Sequence, residues 1–325
     1  MTDPLDVPIL FMIFNRPSTT NPVFDRIKNA QPKKLYVAAD GPRAKPGEAE
    51  ACQEVRKIID KIDWECEIHT LFRTENLGCK NAVRTAIDWF FENEEMGIIL
   101  EDDCLADPSF FNYCKITLNK YKKEERVMMI TGTSYLNKGL TGRYKFYFSQ
   151  YYAIWGWATW RRAWLTYDRD MKAWPEMKDN MVLQKKYGPC VGSILESIFQ
   201  STFEGNCNTW DSQWFITCLS RNGLCVAPKT NLISNIGLDG VHFNGNNNQQ
   251  LNVPTKSIGE ICIFPPVEFN EKLDTKAYKN IFRGICPPLT RLYFWINFIL
   301  CRINRTRFCN SRIPILGRLR RMHKI

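Results

Sequence analysis

Short apolar runs alternate with amphipathic stretches along the first hundred residues. The apolar runs at 7–14, 34–39 and 97–100 and the alternating stretch at 65–72 predict four strands. The stretches between them, at 22–30, 48–61 and 81–92, predict helices with one apolar face. This strict alternation of strand and helix predicts an α/β fold with a doubly wound, largely parallel sheet.

The same patterns continue less regularly beyond residue 103. They predict helices at 109–122, about 181–205 and 214–219, and strands at 127–131 and 224–228. An aromatic-rich stretch lies at 144–164, and a loop rich in Gly and Asn lies at 235–252. We expect residues 1–130 to form one half of a single domain and residues 131–270 the other, followed by a distinct tail at 271–325.

The positive charge of the chain belongs to its last fifty residues. The net charge is +10, but Lys276 to Ile325 contains twelve Lys or Arg and no acidic residue, which leaves about −2 for residues 1–275 (+10 − 12). Within this tail, residues 289–301 are apolar and aromatic, yet too few for the ~20 needed to cross a bilayer. An apolar patch beside basic residues predicts a peripheral anchor on the anionic cytoplasmic face of the cell membrane.

Two alternatives for the tail stay open, a buried terminal helix and a nucleic-acid-binding segment. No recognised nucleic-acid-binding motif accompanies the basic residues, so we do not expect a nucleic-acid partner.

The chain has thirteen cysteines, but its first residues do not show the basic and then apolar pattern of a secretory signal, which predicts mostly reduced thiols. The cysteines contain no C-x₂-C pair, which disfavours a zinc module.

The strand at 97–100 leads directly into three consecutive acids, Glu101, Asp102 and Asp103. Neighbouring carboxylates repel one another and resist burial, so this position favours a bound cation. Mg²⁺ and Mn²⁺ take oxygen ligands and share them with substrate phosphates. The carboxyl edge of an open α/β sheet is also where ligands bind. The alternative is a solvated turn after the strand.

Three further residues are candidates for contact with a substrate. Asp211 lies between tryptophans, where an apolar setting favours proton uptake and suits a general base, although Asp also commonly opens a helix. Trp157, in the aromatic stretch, is predicted to contact a sugar, with core packing as the alternative. His242 lies in the Gly/Asn-rich loop, where it is predicted to contact a phosphate or a metal.

These residues, in their order along the chain, resemble GT-A nucleotide-sugar glycosyltransferases. The resemblance extends over roughly residues 7–250 and is strongest to the N-acetylglucosaminyltransferase I type and to related bacterial glycosyltransferases. It implies a GT-A-like fold, a nucleotide-sugar donor and a divalent metal. The segments that carry it are Asn15-Arg16-Pro17, Asp40-Gly41, Arg73, Asn76-Leu77-Gly78, Glu101-Asp102-Asp103, Phe110-Phe111-Asn112-Tyr113, Gly156–Trp160 and Trp210-Asp211.

The resemblance also implies a role for each matching position. Asp103 would bind Mn²⁺ or Mg²⁺, while Asp102 and Glu101 would accept hydrogen bonds from the ribose and the transferred sugar. Asp40 would accept a hydrogen bond from the uracil base, and Asp211 would deprotonate the acceptor hydroxyl. The remaining nucleotide-sugar-binding positions would be Asn15, Arg16, Arg73, Asn76, Trp157 and His242.

The sequence therefore predicts a metal-dependent, inverting hexosyl- or N-acetylhexosaminyltransferase. It would move a sugar from a UDP-sugar or another nucleotide-sugar to a glycan or lipid-linked acceptor. One alternative is a nucleotidyltransferase of similar fold, although the turn at 15–18 lacks the glycines that a triphosphate loop needs. The other is a non-catalytic protein that binds a membrane surface through its tail.

Overall fold

The structure, a computed structural model, describes residues 4–136, 141–237, 252–282, 292–296 and 298–299. Its described part contains ten strands, eight of which form one mixed sheet. The strands are β1 Ile9–Ile13, β2 Lys34–Ala39, β3 Glu67–Phe72, β4 Met96–Glu101, β5 Cys104–Ala106, β6 Val127–Thr131, β7 Phe146–Ser149, β8 Trp157–Trp160, β9 Leu224–Pro228 and β10 Ile233–Asn235.

The large sheet has the strand order β3-β2-β1-β4-β8-β6-β9-β7. Its first four strands are parallel, and their registers pair Ile13 with Ala39 and Met12 with Glu101. Strand β8 lies antiparallel between β4 and β6, so both predicted halves contribute to one sheet. The predicted α/β fold is confirmed, and the GT-A-like type stays a prediction.

Ten α-helices connect or cover the strands in the described part. The alternation along β1 separates the two faces of the sheet: Ile9, Phe11 and Ile13 belong to one apolar core, and Leu10 and Met12 to the other. The first core is covered by α1, α2 and α4, and the second by α3 and α5 to α9. The helices are α1 Pro17–Ala30, α2 Glu48–Arg56, α3 Gly78–Asn93, α4 Ser109–Tyr121, α5 Arg161–Trp164, α6 Trp174–Asp179, α7 Val182–Tyr187, α8 Pro189–Phe203, α9 Asp211–Ser220 and α10 Glu271–Ile281.

The predicted elements of the first half all exist, with shifts at some boundaries. Helix α1 begins at Pro17 and not at residue 22, because a proline at the first helical position loses no hydrogen bond. The helix predicted at 48–61 is α-helical only to Arg56 and continues as a 3-10 helix at Lys57–Lys61.

The second half contains elements that the sequence pattern did not predict. The aromatic-rich stretch divides into β7, β8 and α5, and its strands are apolar on both sides because both faces of the sheet are covered. A short antiparallel pair, β5 with β10, follows the acidic residues and brings residues 233–235 beside them.

The described part of the tail buries the aromatic side chains of Tyr278, Phe282 and Phe294 and exposes several other apolar ones. Phe294 is buried in the core that contains Tyr278 and Ile281, whereas Leu292, Tyr293, Trp295 and Ile296 are about half exposed. Among the described residues, no helix has both the length and the apolarity required to cross a membrane. Nine described cysteines are free thiols, and Cys190 is disulfide-bonded.

Candidate active site at the carboxyl edge of the sheet

The two aspartates that follow β4 are held by a guanidinium group. The side chain of Arg16, from the turn between β1 and α1, lies against both Asp102 and Asp103. Its Nη2 is 2.9 Å from Asp103 Oδ2 and also contacts Asp102 Oδ1, while its Nε is 3.4 Å from Asp102 Oδ2. Asp102 and Asp103 are only 5% and 14% exposed in their side chains, so they do not form the solvated turn of the alternative interpretation.

Burial and mutual repulsion dominate the electrostatics of these acids. Burial raises the pKa of Glu101 and of Asp102, and the charge of Asp103 raises both further. Burial alone would lower the pKa of the Arg16 guanidinium, but the two aspartates raise it above its ordinary value. Each ionised carboxylate therefore disfavours ionisation of its neighbours, and a second cation would relieve this repulsion.

Residues 235–237 also contact Asp103. The Asn235 side chain lies 3.4 Å from Asp103 Oδ1 and accepts a hydrogen bond from the backbone N–H of Gly237. The Ile236 backbone donates to the Asp103 carbonyl oxygen at 2.9 Å. A Cβ atom at Gly237 would lie 2.4 Å from Asp103 Oδ2 and 2.9 Å from Arg16, so only glycine permits this approach. The sequence analysis missed Asn235 and Gly237, although they begin the Gly/Asn-rich loop.

Asp40, at the end of β2, has a structural function in this arrangement. Its carboxylate accepts hydrogen bonds from the backbone N–H groups of Gly41, Leu77 and Gly78, at 3.0–3.1 Å. It thereby satisfies free donors at the N-terminus of α3. Asn76 donates to the carbonyl oxygen of Gly41 at 2.7 Å, which joins the loops after β2 and β3. The contact of Asp40 with a base stays a prediction.

Asn15 and Arg73 also lie at this edge and contact protein groups. Asn15 donates to Glu48 at 2.9 Å, and Glu48 is otherwise paired with Arg43, whose hydrogen bonds lower the pKa of Glu48. Arg73 donates to the hydroxyl of Thr85 at 2.7 Å, and burial lowers its pKa. The loops after β1, β2 and β3 are thus fixed to their neighbours, and the nucleotide contacts of Asn15, Arg73 and Asn76 stay predictions.

Asp211 opens α9 on the side of the site nearest Glu101. Its Oδ1 accepts hydrogen bonds from the Thr209 hydroxyl and, at 2.7 Å, from the backbone N–H of Ser212. Among the described residues, none donates a hydrogen bond to its Oδ2. The charge of Asp211 contributes to raising the pKa of Glu101 and of Cys79, which places the three groups near one another.

The N-terminus of α3 connects Asp211 to the rest of the site. Asn208, just before Asp211, contacts Gly78 and accepts a hydrogen bond from the backbone N–H of Lys80 at 3.3 Å. Cys79 lies between these contacts, and burial is the main cause that raises the pKa of its thiol. The sequence analysis missed Asn208 and Cys79, since nothing in the pattern joins residues so far apart in the chain.

Trp157 is placed in the core beneath this site. It is 1% exposed and stacks on Trp210 with a centroid distance of 5.6 Å, beside Trp164 and Trp214. In this conformation its ring has no face open to a sugar, so it supports the start of α9 by packing; substrate contact stays a prediction. His242 lies outside the described residues, as does most of the Gly/Asn-rich loop.

The donor chemistry at this edge fits a hard divalent cation. Asp103 supplies carboxylate oxygens close to a position that already holds a positive group, and Mg²⁺ or Mn²⁺ needs only one or two carboxylates when substrate phosphates complete its shell. Within the described residues, no three His, Cys, Asp or Glu side chains are arranged to hold a metal by themselves.

A scan with protein-family models finds no match, and a search of curated proteins finds none either. Partial similarity exists to a mannosyltransferase, PcManGT from Pyrobaculum calidifontis in complex with GDP-Man and Mn²⁺ (13% identity, 47% of this chain, 44% of that chain, TM-score 0.32). Partial similarity also exists to HddC from Yersinia pseudotuberculosis (8% identity, 35% of this chain, 55% of that chain, TM-score 0.26). A third such structure is 4-diphosphocytidyl-2C-methyl-D-erythritol synthase from Anaerococcus prevotii (10% identity, 52% of this chain, 74% of that chain, TM-score 0.30). The chain spans less than half of the mannosyltransferase that it matches.

Proposed function

We propose that this protein is a metal-dependent, inverting glycosyltransferase. It transfers a hexose or an N-acetylhexosamine from a nucleotide-sugar donor, a UDP-sugar in our proposal, to a glycan or lipid-linked acceptor. The donor diphosphate and a divalent ion, Mn²⁺ or Mg²⁺, bind beside Asp103, and the acceptor approaches from the side of Asp211.

One observation carries this proposal: Asp211, an acid with an oxygen that receives no hydrogen bond from the described residues, lies near enough to Glu101 at the end of β4 to raise its pKa. Asp211 Oδ1 is fixed by two hydrogen bonds, while Oδ2 receives none from the described residues. The electrostatic influence of Asp211 reaches Glu101, two residues from the proposed metal ligand. An oriented carboxylate next to a charged donor site is the arrangement that direct displacement requires.

Each group then has a definite task. Asp211 Oδ2 takes the proton of the acceptor hydroxyl. In the same step, the hydroxyl oxygen of the acceptor attacks the sugar carbon from the face opposite the leaving nucleoside diphosphate. Asp103 holds the metal, which when bound stabilises the negative charge of the departing diphosphate. Asp102 and Glu101 accept hydrogen bonds from the donor, and Asp40 keeps the N-terminus of α3 in place.

Calorimetry with UDP and Mn²⁺ tests the donor site directly. We expect UDP affinity to depend on the metal, and Asp103→Ala to remove this dependence together with donor hydrolysis and transfer. Unchanged metal dependence in Asp103→Ala would refute the assignment. A screen of nucleotide-sugars for metal-dependent hydrolysis then identifies the sugar.

The two alternative functions differ from the proposed one in the reaction product: a nucleotidyltransferase releases a different product, and a non-catalytic protein releases none. A nucleotidyltransferase releases pyrophosphate from a nucleoside triphosphate, whereas a glycosyltransferase releases a nucleoside diphosphate. Helix α1 begins at Pro17 directly after Arg16, whose side chain is committed to the acids, and this turn offers no glycine-rich phosphate loop. A non-catalytic membrane-binding protein would show no metal-dependent affinity for UDP.

We further propose that the tail brings this enzyme to an anionic membrane surface, on the cytoplasmic side. Leu292, Tyr293, Trp295 and Ile296 are each 45–54% exposed, while Phe294 anchors their helix in the core. Exposed aromatic and aliphatic side chains suit insertion at the lipid headgroups, and the surrounding chain has many basic residues and no acids. A lipid-linked acceptor would then lie at the same surface.

A further inference from the structure

The contact between Arg16 and Asp103 has a consequence for how the donor site is filled. Asp103 Oδ2 lies 2.9 Å from Arg16 Nη2, and a Cβ atom at Gly237 would lie 2.4 Å from the same oxygen. Mg²⁺ binds carboxylate oxygens at about 2.0–2.1 Å. An ion at this oxygen would therefore lie close to the guanidinium, and the two would oppose each other because they carry charge of the same sign.

Arg16 has a second partner that it keeps when Asp103 is taken. Its Nε and Nη2 both face the carboxylate of Asp102, which is almost completely buried. The guanidinium therefore stays within the site beside an incoming metal, and the repulsion between them opposes binding of the metal alone. Among the described residues, Arg16 is the cation that forms ion pairs with these acids.

A diphosphate changes this balance of charge. Asp102, Asp103 and Arg16 sum to about −1 when both aspartates are ionised, and a divalent ion makes the sum about +1. The negative charges of a bound diphosphate, two in a nucleotide-sugar and about three in free UDP, make the sum negative again and give both cations an anionic partner. Arginine is well suited to phosphate oxygens because its planar group offers several donors.

We propose that Arg16 competes with the divalent ion for Asp103, so that the site takes up the metal and a nucleoside diphosphate together and binds the metal alone poorly. This inference rests on the proposed function for the identity of the diphosphate. It assigns Arg16 as a positioning residue for the metal, in addition to the nucleotide contact that the sequence suggested.

The test measures Mn²⁺ binding to the full-length protein from the electron paramagnetic resonance signal of free Mn²⁺, without and with UDP. We expect UDP to tighten Mn²⁺ binding at least tenfold in the wild type. In Arg16→Gln, Mn²⁺ alone should bind about tenfold more tightly than in the wild type, and the gain from UDP should shrink. The control Arg126→Gln removes a guanidinium that is 60% exposed and paired with Glu124, and it should match the wild type.

Mn²⁺ binding to Arg16→Gln that is no tighter than to the wild type would overturn the inference. If circular dichroism shows that this variant does not fold, Arg16→Lys decides instead, because an ammonium group cannot span both carboxylates as the guanidinium does. Arg16→Lys should bind Mn²⁺ alone about threefold more tightly than the wild type, and equal or weaker binding would overturn the inference. The titration with Mn²⁺ alone involves no nucleotide, so it remains decisive even if the wild type shows no affinity for UDP and the proposed function fails.

Discussion

Replacing Asp211 by Asn separates a general base from a residue that only begins a helix. Asparagine retains an oxygen that can accept the hydrogen bonds of the Thr209 hydroxyl and the Ser212 backbone, so the start of α9 should persist. The substitution replaces Oδ2 by an amide nitrogen, which cannot take a proton from the acceptor hydroxyl. General-base catalysis contributes about 10²- to 10⁴-fold, so kcat should fall by that factor, or by about 3–5 kcal/mol in activation free energy.

The assay is transfer of sugar to acceptor, with UDP affinity measured in parallel by calorimetry. We expect Asp211→Asn to bind UDP and Mn²⁺ as the wild type does while its transfer rate collapses. Two controls isolate the cause. Thr209→Val removes one hydrogen bond to Asp211 Oδ1, worth about 1 kcal/mol, and should lower kcat less than tenfold.

The second control is the same substitution at another aspartate whose carboxylate accepts hydrogen bonds from nearby backbone groups. Asp168 accepts hydrogen bonds from the backbone N–H groups of Asp170 and Lys172, and Asp168→Asn should leave transfer unaltered. If Asp211→Asn retains more than a tenth of the transfer rate, the base assignment is wrong. If it loses UDP affinity together with transfer, Asp211 has a structural role.

Three other predictions concern stability, the cover of Asp103 and the tail. Burial raises the pKa of Asp274 from its ordinary 3.8 to about 6, so the folded state binds the carboxyl proton more tightly than the unfolded state does. The free energy of unfolding relative to Asp274→Asn should therefore fall by about 2 kcal/mol as pH rises from 4 to 7. Urea denaturation that shows a constant or growing difference would contradict this. Gly237→Ala would place Cβ 2.4 Å from Asp103, so it should lower the free energy of unfolding by about 1–3 kcal/mol and weaken Mn²⁺-dependent UDP binding. In the control Gly205→Ala, the Cβ meets nothing within 4 Å, so stability should fall by about 1 kcal/mol while UDP affinity stays unchanged. The double substitution Leu292→Ser and Trp295→Ser should reduce cosedimentation with phosphatidylglycerol vesicles at least tenfold, and equal binding in wild type and variant would exclude these side chains as the anchor.

The order of the first elements and the position of the acids follow from the sequence alone. Buried parallel strands are covered on both faces, so they appear as continuous apolar runs. Three such runs and one alternating stretch predicted a sheet whose loops meet at one edge. Because side chains at the end of β4 must lie at that edge, the three acids could be located before any coordinates were known. The elements of the second half were predicted less well, because apolar stretches there do not distinguish strands from helices. They also do not distinguish core residues from residues that contact a substrate.

Only the tertiary structure decided what each of these groups contacts. Pairing depends on distance in space, and the hydrogen bonds of Asp40 to α3 and of Arg16 to the acids join residues 37 to 87 positions apart. The burial of Trp157 likewise follows from how four tryptophans pack together, which no local pattern encodes. The sequence thus established which chemical groups reach this edge of the sheet, and the packing of distant segments determined which of them are committed to the fold and which remain available for chemistry.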